Sequence, residues 1–217
     1  MNYKAVCFDF DYTLGDATVA IVAAYEYALA ELGHPKPERE AVRRTVGYSV
    51  QDGYTMLTGD ADPERRDRAL ELFRAIAKPM QLTTTKLFDG AAELLAGLHG
   101  NGVKIAVVSS KGGDTLKKVM DYCGILRYID FVVGAWDVTN QKPDPEGLLW
   151  AVEQFGLARE QVLYCGDSLV DAETARRAGV DFCAVLNGTT TEEEFAPFPR
   201  VHVAPDLNQL ALWLDTI

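Results

Sequence analysis

The sequence predicts an α/β fold, a doubly wound parallel sheet with a small all-helical domain inserted after its first strand. Beyond residue 84, short apolar runs alternate with helical segments that end in glycine, as in sheets whose parallel strands are joined by helices. Residues 16–83 contain helical patterns and no strand pattern, although they directly follow the first apolar run. We therefore expect residues 1–15 and 84–217 to form the α/β core and residues 16–83 to form a helical cap.

The first strand is predicted at Val6–Phe8, an apolar run typical of a parallel strand buried on both faces. The insertion begins with an alanine-rich helical segment that is stopped by Gly33 and Pro35. Later, Asp62 and Pro63 form a typical helix start, with a capping carboxylate and a proline at the first helical position. The helices expected in the insertion are Ala17–Leu32, Pro37–Val46 and Pro63 to about Lys78.

The core is predicted to continue with helices and strands in alternation. In order, we expect a helix at Gly90–Leu98, a strand at Val103–Val108, a helix at Asp114–Tyr122, a strand at Phe131–Val133, a helix at Pro145–Phe155, a strand at Val162–Cys165, a helix at Leu169–Ala178 and a strand at Phe182–Leu186. An edge strand at Val201–Val203 and a last helix from Asp206 complete the predicted core.

The composition limits the classes of partner and compartment. The net charge of -11 argues against binding to nucleic acid or to an anionic membrane surface. The first apolar run is short and interrupted by acidic residues, so it predicts no secretion signal, and we expect no membrane-spanning segment. Cys7, Cys165 and Cys183 lie in strand-like apolar runs, where we expect buried, reduced thiols. These features together predict a cytoplasmic protein.

Two acidic residues follow the first predicted strand directly. Asp9 and Asp11 belong to an Asp-x-Asp-x-Thr pattern that ends at Thr13. They come at the carboxyl end of the strand, where open α/β sheets place their active sites. Two carboxylates this close repel each other, so a cation, a shared proton or a hydrogen-bond network must stabilise them. The pair therefore predicts a metal-assisted acid/base or nucleophilic site.

Polar groups also follow three later strands. Ser109 begins a Ser-Ser-Lys-Gly-Gly stretch whose small residues expose backbone N–H groups suited to a phosphate. Lys142 lies in a loop stiffened by prolines, and Asp167 and Ser168 end the next strand, with Asp171 three residues after Ser168. Each of these could by itself be a helix cap, a turn residue or a surface residue. Coincidence is a poor explanation for polar side chains of this kind at four consecutive strand ends.

This succession of motifs closely resembles the haloacid dehalogenase (HAD) superfamily, specifically its phosphoglycolate phosphatase-like members with a helical C1-type cap. The family's four motifs fall on Asp9–Thr13, Ser109, Lys142 and Gly166–Asp171, and the resemblance covers essentially the whole chain. It implies Mg²⁺-dependent hydrolysis of small phosphate monoesters through an aspartyl-phosphate intermediate. It also implies that the cap lies over the strand end bearing Asp9 and governs substrate choice.

The resemblance implies a role for each motif residue. Asp9 would attack phosphorus, and Asp11 would protonate the leaving oxygen and then accept a proton from water. Ser109 and Lys142 would stabilise the transferring phosphoryl group. The remaining implied contacts are phosphate binding by the backbone of Phe10, Asp11 and Ser110, Mg²⁺ binding by Asp9, Asp167 and the Asp11 carbonyl oxygen, and support of these groups by Thr13, Ser168 and Asp171.

Some positions depart from the family's pattern or are left open by it. Tyr12 stands where these phosphatases commonly have a small residue such as glycine, and Ser110 stands where asparagine is frequent. The Tyr12 ring could pack under the cap or contact substrate, and Trp136 and Asp137 could face the site or anchor their loop. Four residues of the predicted cap could bind a second anionic group of the substrate, or they could simply lie on helix surfaces. These residues are Arg43, Arg44, Tyr48 and Tyr54.

Alternative functions remain open at the level of sequence. A sugar-phosphate mutase of the β-phosphoglucomutase type shares the chemistry but returns the phosphoryl group to a sugar. A phospho-aspartyl receiver domain is disfavoured by the helical insertion, and a non-catalytic binding protein by the complete set of catalytic side chains. Asp11 argues against a true dehalogenase, which needs no general acid for a phosphate leaving group. We expect a small phosphorylated metabolite as ligand and either a monomer or a homodimer.

Overall fold

The computed structural model describes residues 3–216 of the chain. The chain divides into two compact units, one comprising the residues up to Asp16 and from Leu87 onward, and the other comprising Ala17–Lys86. We refer to the first as the α/β unit and to the second as the helical unit.

The strands, in chain order, are β1 (Ala5–Phe8), β2 (Gly15–Asp16), β3 (Lys86–Leu87), β4 (Lys104–Val108), β5 (Phe131–Val133), β6 (Val162–Gly166), β7 (Asp181–Val185) and β8 (His202–Ala204). Six of them form one sheet in the order β5-β4-β1-β6-β7-β8, and all neighbouring strands run parallel. The chain thus extends outward from β1 in both directions, first through β4 and later through β6. The carboxyl end of β1 lies at this switch in strand order, where doubly wound sheets bind their ligands.

Both faces of the sheet are covered, which explains why β1 is an uninterrupted apolar run. Val6 and Phe8 pack into a core cluster on one face, and Ala5 and Cys7 pack into a second cluster on the other. The covering helices are α5 (Ala91–Gly100), α6 (Gly113–Tyr122), α7 (Glu146–Phe155), α8 (Leu169–Ala178) and α9 (Leu207–Asp215). The α/β fold predicted from the sequence is therefore confirmed.

The helical unit contains α1 (Thr18–Glu31), α2 (Arg39–Arg43), α3 (Val50–Thr58) and α4 (Pro63–Thr84). Buried side chains of α1 and α4 share one core, in which the rings of Tyr25 and Phe73 meet edge to face at 4.8 Å between centroids. The side chain of Asp62 accepts the backbone N–H of Arg65 at 2.9 Å, so it caps α4 as the sequence predicts.

The helix α3 is absent from the sequence prediction, and its start nevertheless carries a signal. The Ser49 hydroxyl accepts the backbone N–H of Asp52 at 3.1 Å and caps the helix. The Ser-x-x-Asp spacing is typical of a helix start. The predicted helix at Pro37–Val46 is shorter in the structure, which has only Arg39–Arg43 as helix.

The helix α4 continues beyond its predicted end near Lys78. It runs through Pro79 to Thr84, although a proline inside a helix removes one backbone hydrogen bond. Ala77 and Gln81 are buried on either side of the proline. Helical stability in proteins comes mostly from packing, and here packing outweighs the local cost of the proline.

The hydroxyl of Tyr54 is the centre of a polar network inside the helical unit. Tyr54 is fully buried, and its hydroxyl lies 2.8 Å from His34 Nε2, 2.9 Å from Asp60 Oδ2 and 3.2 Å from Arg65 Nε. The network provides hydrogen-bond partners for the ring nitrogen Nε2 of His34. It also shows that Tyr54 acts inside its own unit.

Replacing Tyr54 by phenylalanine is expected to lower the free energy of unfolding by about 1.5 to 3 kcal/mol, the usual range for hydrogen bonds to charged groups. Urea denaturation measures the change. The matched control is Tyr27→Phe, because Tyr27 is 39% exposed in the same unit. Equal stability of the two variants would show that the Tyr54 hydroxyl does not stabilise the fold.

The cysteines and the helices bear on what the composition predicts. Cys7, Cys165 and Cys183 are buried and free, as predicted. None of the helices within residues 3–216 combines the length and the apolar character needed to cross a membrane.

Candidate active site

The carboxyl ends of adjacent strands bring the predicted acidic residues together. Phe8 of β1 pairs with Cys165 of β6, and the backbone N–H of Asp9 donates to the Cys165 carbonyl at 2.9 Å. Asp9 comes one residue after Phe8, and Asp167 comes two residues after Cys165. One carboxylate oxygen from each of Asp9, Asp167 and Asp171 lies within 4.8 Å of the others, and all three residues are buried.

This cluster of carboxylates fits a divalent cation. Within residues 3–216, Oδ1 of Asp9 is a buried oxygen without a hydrogen-bond partner. The Lys142 ammonium lies 3.1 Å from that oxygen, close enough for charge pairing but outside hydrogen-bonding geometry. One ammonium leaves the three carboxylates with an excess of negative charge when all are ionised. Mg²⁺ is a hard cation that prefers oxygen ligands and could balance this excess.

Burial, together with repulsion between neighbouring carboxylates, raises the pKa values of Asp9 and Asp167. Burial raises the pKa of Asp9 to about 6, although Lys142 lowers it, and the charges of Asp171 and Asp11 add to the rise. Burial, followed by the charges of Asp171 and Asp9, raises the pKa of Asp167 well above its ordinary value. The cluster therefore favours the uptake of positive charge, as protons or as a cation.

Both oxygens of the Asp171 carboxylate already accept hydrogen bonds. Oδ1 accepts from Lys142 Nζ at 2.7 Å and from the Tyr164 hydroxyl at 2.8 Å. Oδ2 accepts from the backbone N–H and the hydroxyl of Ser168 at 3.1 and 2.6 Å. Asp9 and Asp167 offer less engaged oxygens, so Asp171 is better suited to holding Lys142 than to binding a metal ion.

Lys142 is held at the centre of the cluster as a cation. Burial lowers the pKa of Lys142, but the charges of Asp171 and Asp9 outweigh burial and raise it above its ordinary value. The peptide bond between Lys142 and Pro143 is cis. Glu146 anchors the same loop by accepting the backbone N–H groups of Thr139 and Asn140 at 2.7 and 2.8 Å.

Thr13 and Ser168 form hydrogen bonds with the acidic residues. The Thr13 hydroxyl donates to Oδ1 of Asp167 at 3.0 Å. Ser168 caps the start of α8, since its hydroxyl accepts the backbone N–H of Asp171 at 3.2 Å while the Asp171 carboxylate accepts from Ser168. This reciprocal capping box fixes the Asp171 carboxylate against the strand end.

The loop after β4 places Ser109 and Lys111 at the same edge of the sheet. The Ser109 hydroxyl accepts the backbone N–H of Lys111 at 3.3 Å, so its proton can be donated to a ligand. The Lys111 ammonium pairs with Oδ1 of Asp11 at 2.9 Å and lies 5.1 Å from the centre of the Phe10 ring. Ser110, which lies between Ser109 and Lys111 in the chain, is half-buried.

The loop after β1 turns sharply behind Asp9. Its Phe10 carbonyl accepts the backbone N–H groups of Thr13, Leu14 and Gly15 at 3.2, 2.9 and 3.0 Å. Tyr12 has a φ of 63°, the left-handed region in which glycine is unstrained. This backbone conformation explains why glycine suits position 12. Tyr12 is buried despite it, with 2% of its surface exposed.

The loop that contains Trp136 and Asp137 packs against the start of α6. Oδ2 of Asp137 accepts the backbone N–H of Gly134 at 2.8 Å and thereby anchors the loop. Trp136 is exposed but lies so close to Gly112 that a Cβ there would be 2.9 Å from the indole nitrogen. The structure therefore favours the anchoring role of Asp137 over a contact with the reacting groups.

The cap residues left open by the sequence lie in the helical unit. Arg43 forms an ion pair with Glu40 at 2.8 Å, and Tyr48 is exposed. Tyr54 is buried in the network described above, and Arg44 follows α2. A role of these residues in substrate binding stays a prediction.

Four residues near the acidic cluster are missing from the sequence-based site. Lys111 and Tyr164 contact Asp11 and Asp171 as described above. Asn187 and Gly188 follow β7, and the Asn187 side chain donates to the Thr13 carbonyl at 3.1 Å. For Lys111 the available signal was its position in the stretch that begins at Ser109. For Asn187 and Gly188 it was their position directly after a predicted strand.

Comparison with known proteins agrees with this arrangement. The sequence profile described as haloacid dehalogenase-like hydrolase matches residues 6–185. The protein named Probable phosphatase IndB of Dickeya dadantii is 33% identical over 202 residues, which cover 91% of this chain and 88% of the relative. A phosphoglycolate phosphatase of Thiobacillus denitrificans is 31% identical over 216 residues, which cover 96% of this chain and 94% of the relative.

Solved structures give the same result. A haloacid dehalogenase-like protein from Bacteroides fragilis matches with a TM-score of 0.93 and 34% identity over 96% of this chain and 99% of that one. A hydrolase from Pseudomonas syringae matches with a TM-score of 0.86 and 27% identity over 99% of both chains. The chain therefore belongs to the haloacid dehalogenase-like hydrolases and is an enzyme of their phosphatase type.

Proposed function

We propose that this enzyme hydrolyses small-molecule phosphate monoesters with Mg²⁺ as cofactor and through an aspartyl-phosphate intermediate on Asp9. The observation that carries the proposal is the state of the Asp9 carboxylate. One of its oxygens is buried without a hydrogen-bond partner among the described residues, next to the Lys142 ammonium. A buried carboxylate oxygen that faces an ammonium and accepts no hydrogen bond suits a nucleophile or a metal ligand.

In the first step, a carboxylate oxygen of Asp9 forms a bond to phosphorus while the bond from phosphorus to the leaving oxygen breaks. The nucleophile and the phosphoryl group are both anionic and repel each other. Lys142 reduces that repulsion because its charged ammonium lies 3.1 Å from Asp9. Asp171 keeps the ammonium in place through its 2.7 Å hydrogen bond.

The transferring phosphoryl oxygens require hydrogen-bond donors around the nucleophile. The Ser109 hydroxyl is one such donor, since its own oxygen is already engaged by Lys111 N–H. We further propose the backbone N–H groups of Phe10, Asp11 and Ser110 as donors. Before substrate binds, Phe10 N–H lowers the pKa of Asp9 by hydrogen bonding and so favours the ionised form of the nucleophile.

Asp11 moves the proton in both steps. It lies two residues after the nucleophile, at the same strand end, and its carboxylate pairs with Lys111 at 2.9 Å. Protonated Asp11 would give its proton to the leaving oxygen, and the resulting carboxylate would accept a proton from the water that attacks the phosphorus of phospho-Asp9. Phosphate is then released and Asp9 is restored.

The metal ion would be held by Asp9, by Asp167 and by the backbone carbonyl of Asp11. When bound, Mg²⁺ neutralises phosphoryl oxygens and orients the substrate for attack. The support for this assignment is the excess negative charge of the cluster and the raised pKa values of Asp9 and Asp167.

A phosphoglycolate phosphatase-like activity is the narrower proposal for the substrate. Its support is the identity of about 30% to several proteins of that name, spread over most of the chain. We also propose that the ligand is a small phosphorylated metabolite, that neither nucleic acid nor membrane is a partner, and that the enzyme is a monomer or a homodimer. A cytoplasmic location likewise stays a prediction.

An assay of released phosphate tests the proposal. The purified protein would be incubated with phosphoglycolate, sugar phosphates, nucleotides and pyrophosphate, with Mg²⁺ and after treatment with a chelator. We expect phosphate release that the chelator abolishes and that added Mg²⁺ restores. Isomerised sugar phosphate without phosphate release would support a mutase of the β-phosphoglucomutase type. No turnover of any ester with Mg²⁺ would support a non-catalytic binding protein.

A further inference from the structure

The end of β7 reaches the acidic cluster, although none of the four sequence motifs includes it. After Val185 the chain continues through Leu186 to Asn187 and Gly188. The strand is the neighbour of β6, which ends just before Asp167. A fifth strand end therefore lies beside the carboxylates of the acidic cluster.

Asn187 is connected to Asp167 through Thr13. The Asn187 side chain donates to the backbone carbonyl of Thr13 at 3.1 Å, and the Thr13 hydroxyl donates to Oδ1 of Asp167 at 3.0 Å. Thr13 and Asp167 are buried, whereas Asn187 is half-buried at the edge of the cluster. The amide thus fixes the backbone of the residue that orients one oxygen of Asp167.

Gly188 limits the position of the other oxygen of Asp167. A Cβ atom at position 188 would lie 2.1 Å from Oδ2 and 2.9 Å from Cγ of Asp167. Such distances are well inside van der Waals contact, so any side chain at position 188 would force the carboxylate to turn away. Glycine at position 188 therefore gives the carboxylate room for both its hydrogen bond from Thr13 and its place beside Asp9.

We propose that Asn187 and Gly188 are positioning residues that hold the Asp167 carboxylate in the orientation needed to bind the metal ion. The inference rests on the proposed function, because it assigns Asp167 to the metal ion. Residues that orient metal ligands from outside commonly change metal affinity by about 10-fold to 100-fold when they are replaced.

Two variants test the inference. Asn187→Leu keeps the size of the side chain but removes the donor to Thr13, and Gly188→Ala introduces the Cβ that collides with Asp167. The probe is Mn²⁺ alone, and the electron paramagnetic resonance signal of the free ion measures binding without turnover. We expect affinity for Mn²⁺ to fall about 10-fold in Asn187→Leu and about 100-fold in Gly188→Ala.

The matched control is Asn101→Leu, which replaces an exposed asparagine that follows α5. Its affinity for Mn²⁺ should equal that of the unchanged protein. The metal-free melting temperatures of both test variants should stay close to that of the unchanged protein. Saturating metal should restore most of the kcat of Asn187→Leu, because the change weakens metal binding and leaves the reacting groups in place.

The outcomes separate this inference from the proposed function. If the unchanged protein neither binds Mn²⁺ nor releases phosphate, the proposed function itself is wrong. If the unchanged protein binds Mn²⁺ and both variants bind it equally well, the inference is overturned while the function stands. An affinity loss that occurs only together with loss of the metal-free fold would also overturn the inference.

Discussion

Replacing Asp9 by asparagine is expected to stop turnover while the protein remains folded. The amide has the shape of the carboxylate but lacks the anionic oxygen that must attack phosphorus. Loss of a nucleophile of this kind lowers kcat by at least about a thousand-fold. Burial raises the pKa of Asp9 to about 6, so the fold already disfavours the ionised side chain and should tolerate a neutral one. Phosphate release and the metal-free melting temperature are the two measurements.

Asp11→Asn is the companion variant, because it makes the same chemical change two residues along the same loop. It keeps the nucleophile and removes the proton donor, so activity should fall by about 100-fold to 10,000-fold, the usual contribution of acid/base catalysis. Normal activity in either variant would contradict the assignment of the two aspartates.

Replacing Lys142 by methionine is expected to have the largest effect on stability. Its ammonium is almost fully buried, 3.1 Å from Asp9 and 2.7 Å from Asp171. Methionine fills similar space but leaves these carboxylates without their cation. Removing one partner of a buried ion pair costs about 3 to 5 kcal/mol. Urea denaturation of the metal-free protein measures the loss, and kcat should fall by about 100-fold to 1,000-fold as well.

Lys104→Met provides a control at the same ion-pair distance. Lys104 lies 3.1 Å from Asp130, but its side chain is 58% exposed. Exposed ion pairs contribute about 0 to 1 kcal/mol, so this variant should be nearly as stable as the unchanged protein. Similar losses of unfolding free energy in the two lysine variants would show that burial does not make the Lys142 ion pairs more important for stability than an exposed pair.

The sequence predicts most of the fold because its determinants are local. Apolar runs mark the strands, and glycines such as Gly156 and Gly179 end the helices in left-handed conformations. The acidic cluster was predictable for a related reason. Parallel strands end at one edge of the sheet, so residues just after β1 and β6 must lie near each other. The order of the motifs therefore indicated which residues meet.

The remaining parts of the site depend on contacts that have no local signal. Tyr164 lies inside a strand, and only the packed structure shows that its hydroxyl reaches Asp171 at 2.8 Å. The closeness of Gly188 to Asp167 depends on the pairing of β6 with β7. In the helical unit, α4 passes through Pro79 because packing on both sides of the proline outweighs its local preference.

The central claim is that Asp9 becomes phosphorylated during turnover, and trapping of the intermediate tests it most directly. Enzyme would be mixed with Mg²⁺ and a smaller amount of a phosphate ester that it hydrolyses. The mixture would be quenched at intervals during the first turnover and reduced with borohydride. This reduction converts an aspartyl-phosphate to homoserine, which peptide mass analysis locates. We predict homoserine at position 9 and none in the Asp9→Asn variant. Release of phosphate during the first turnover with homoserine at another position, or at none, would contradict the account.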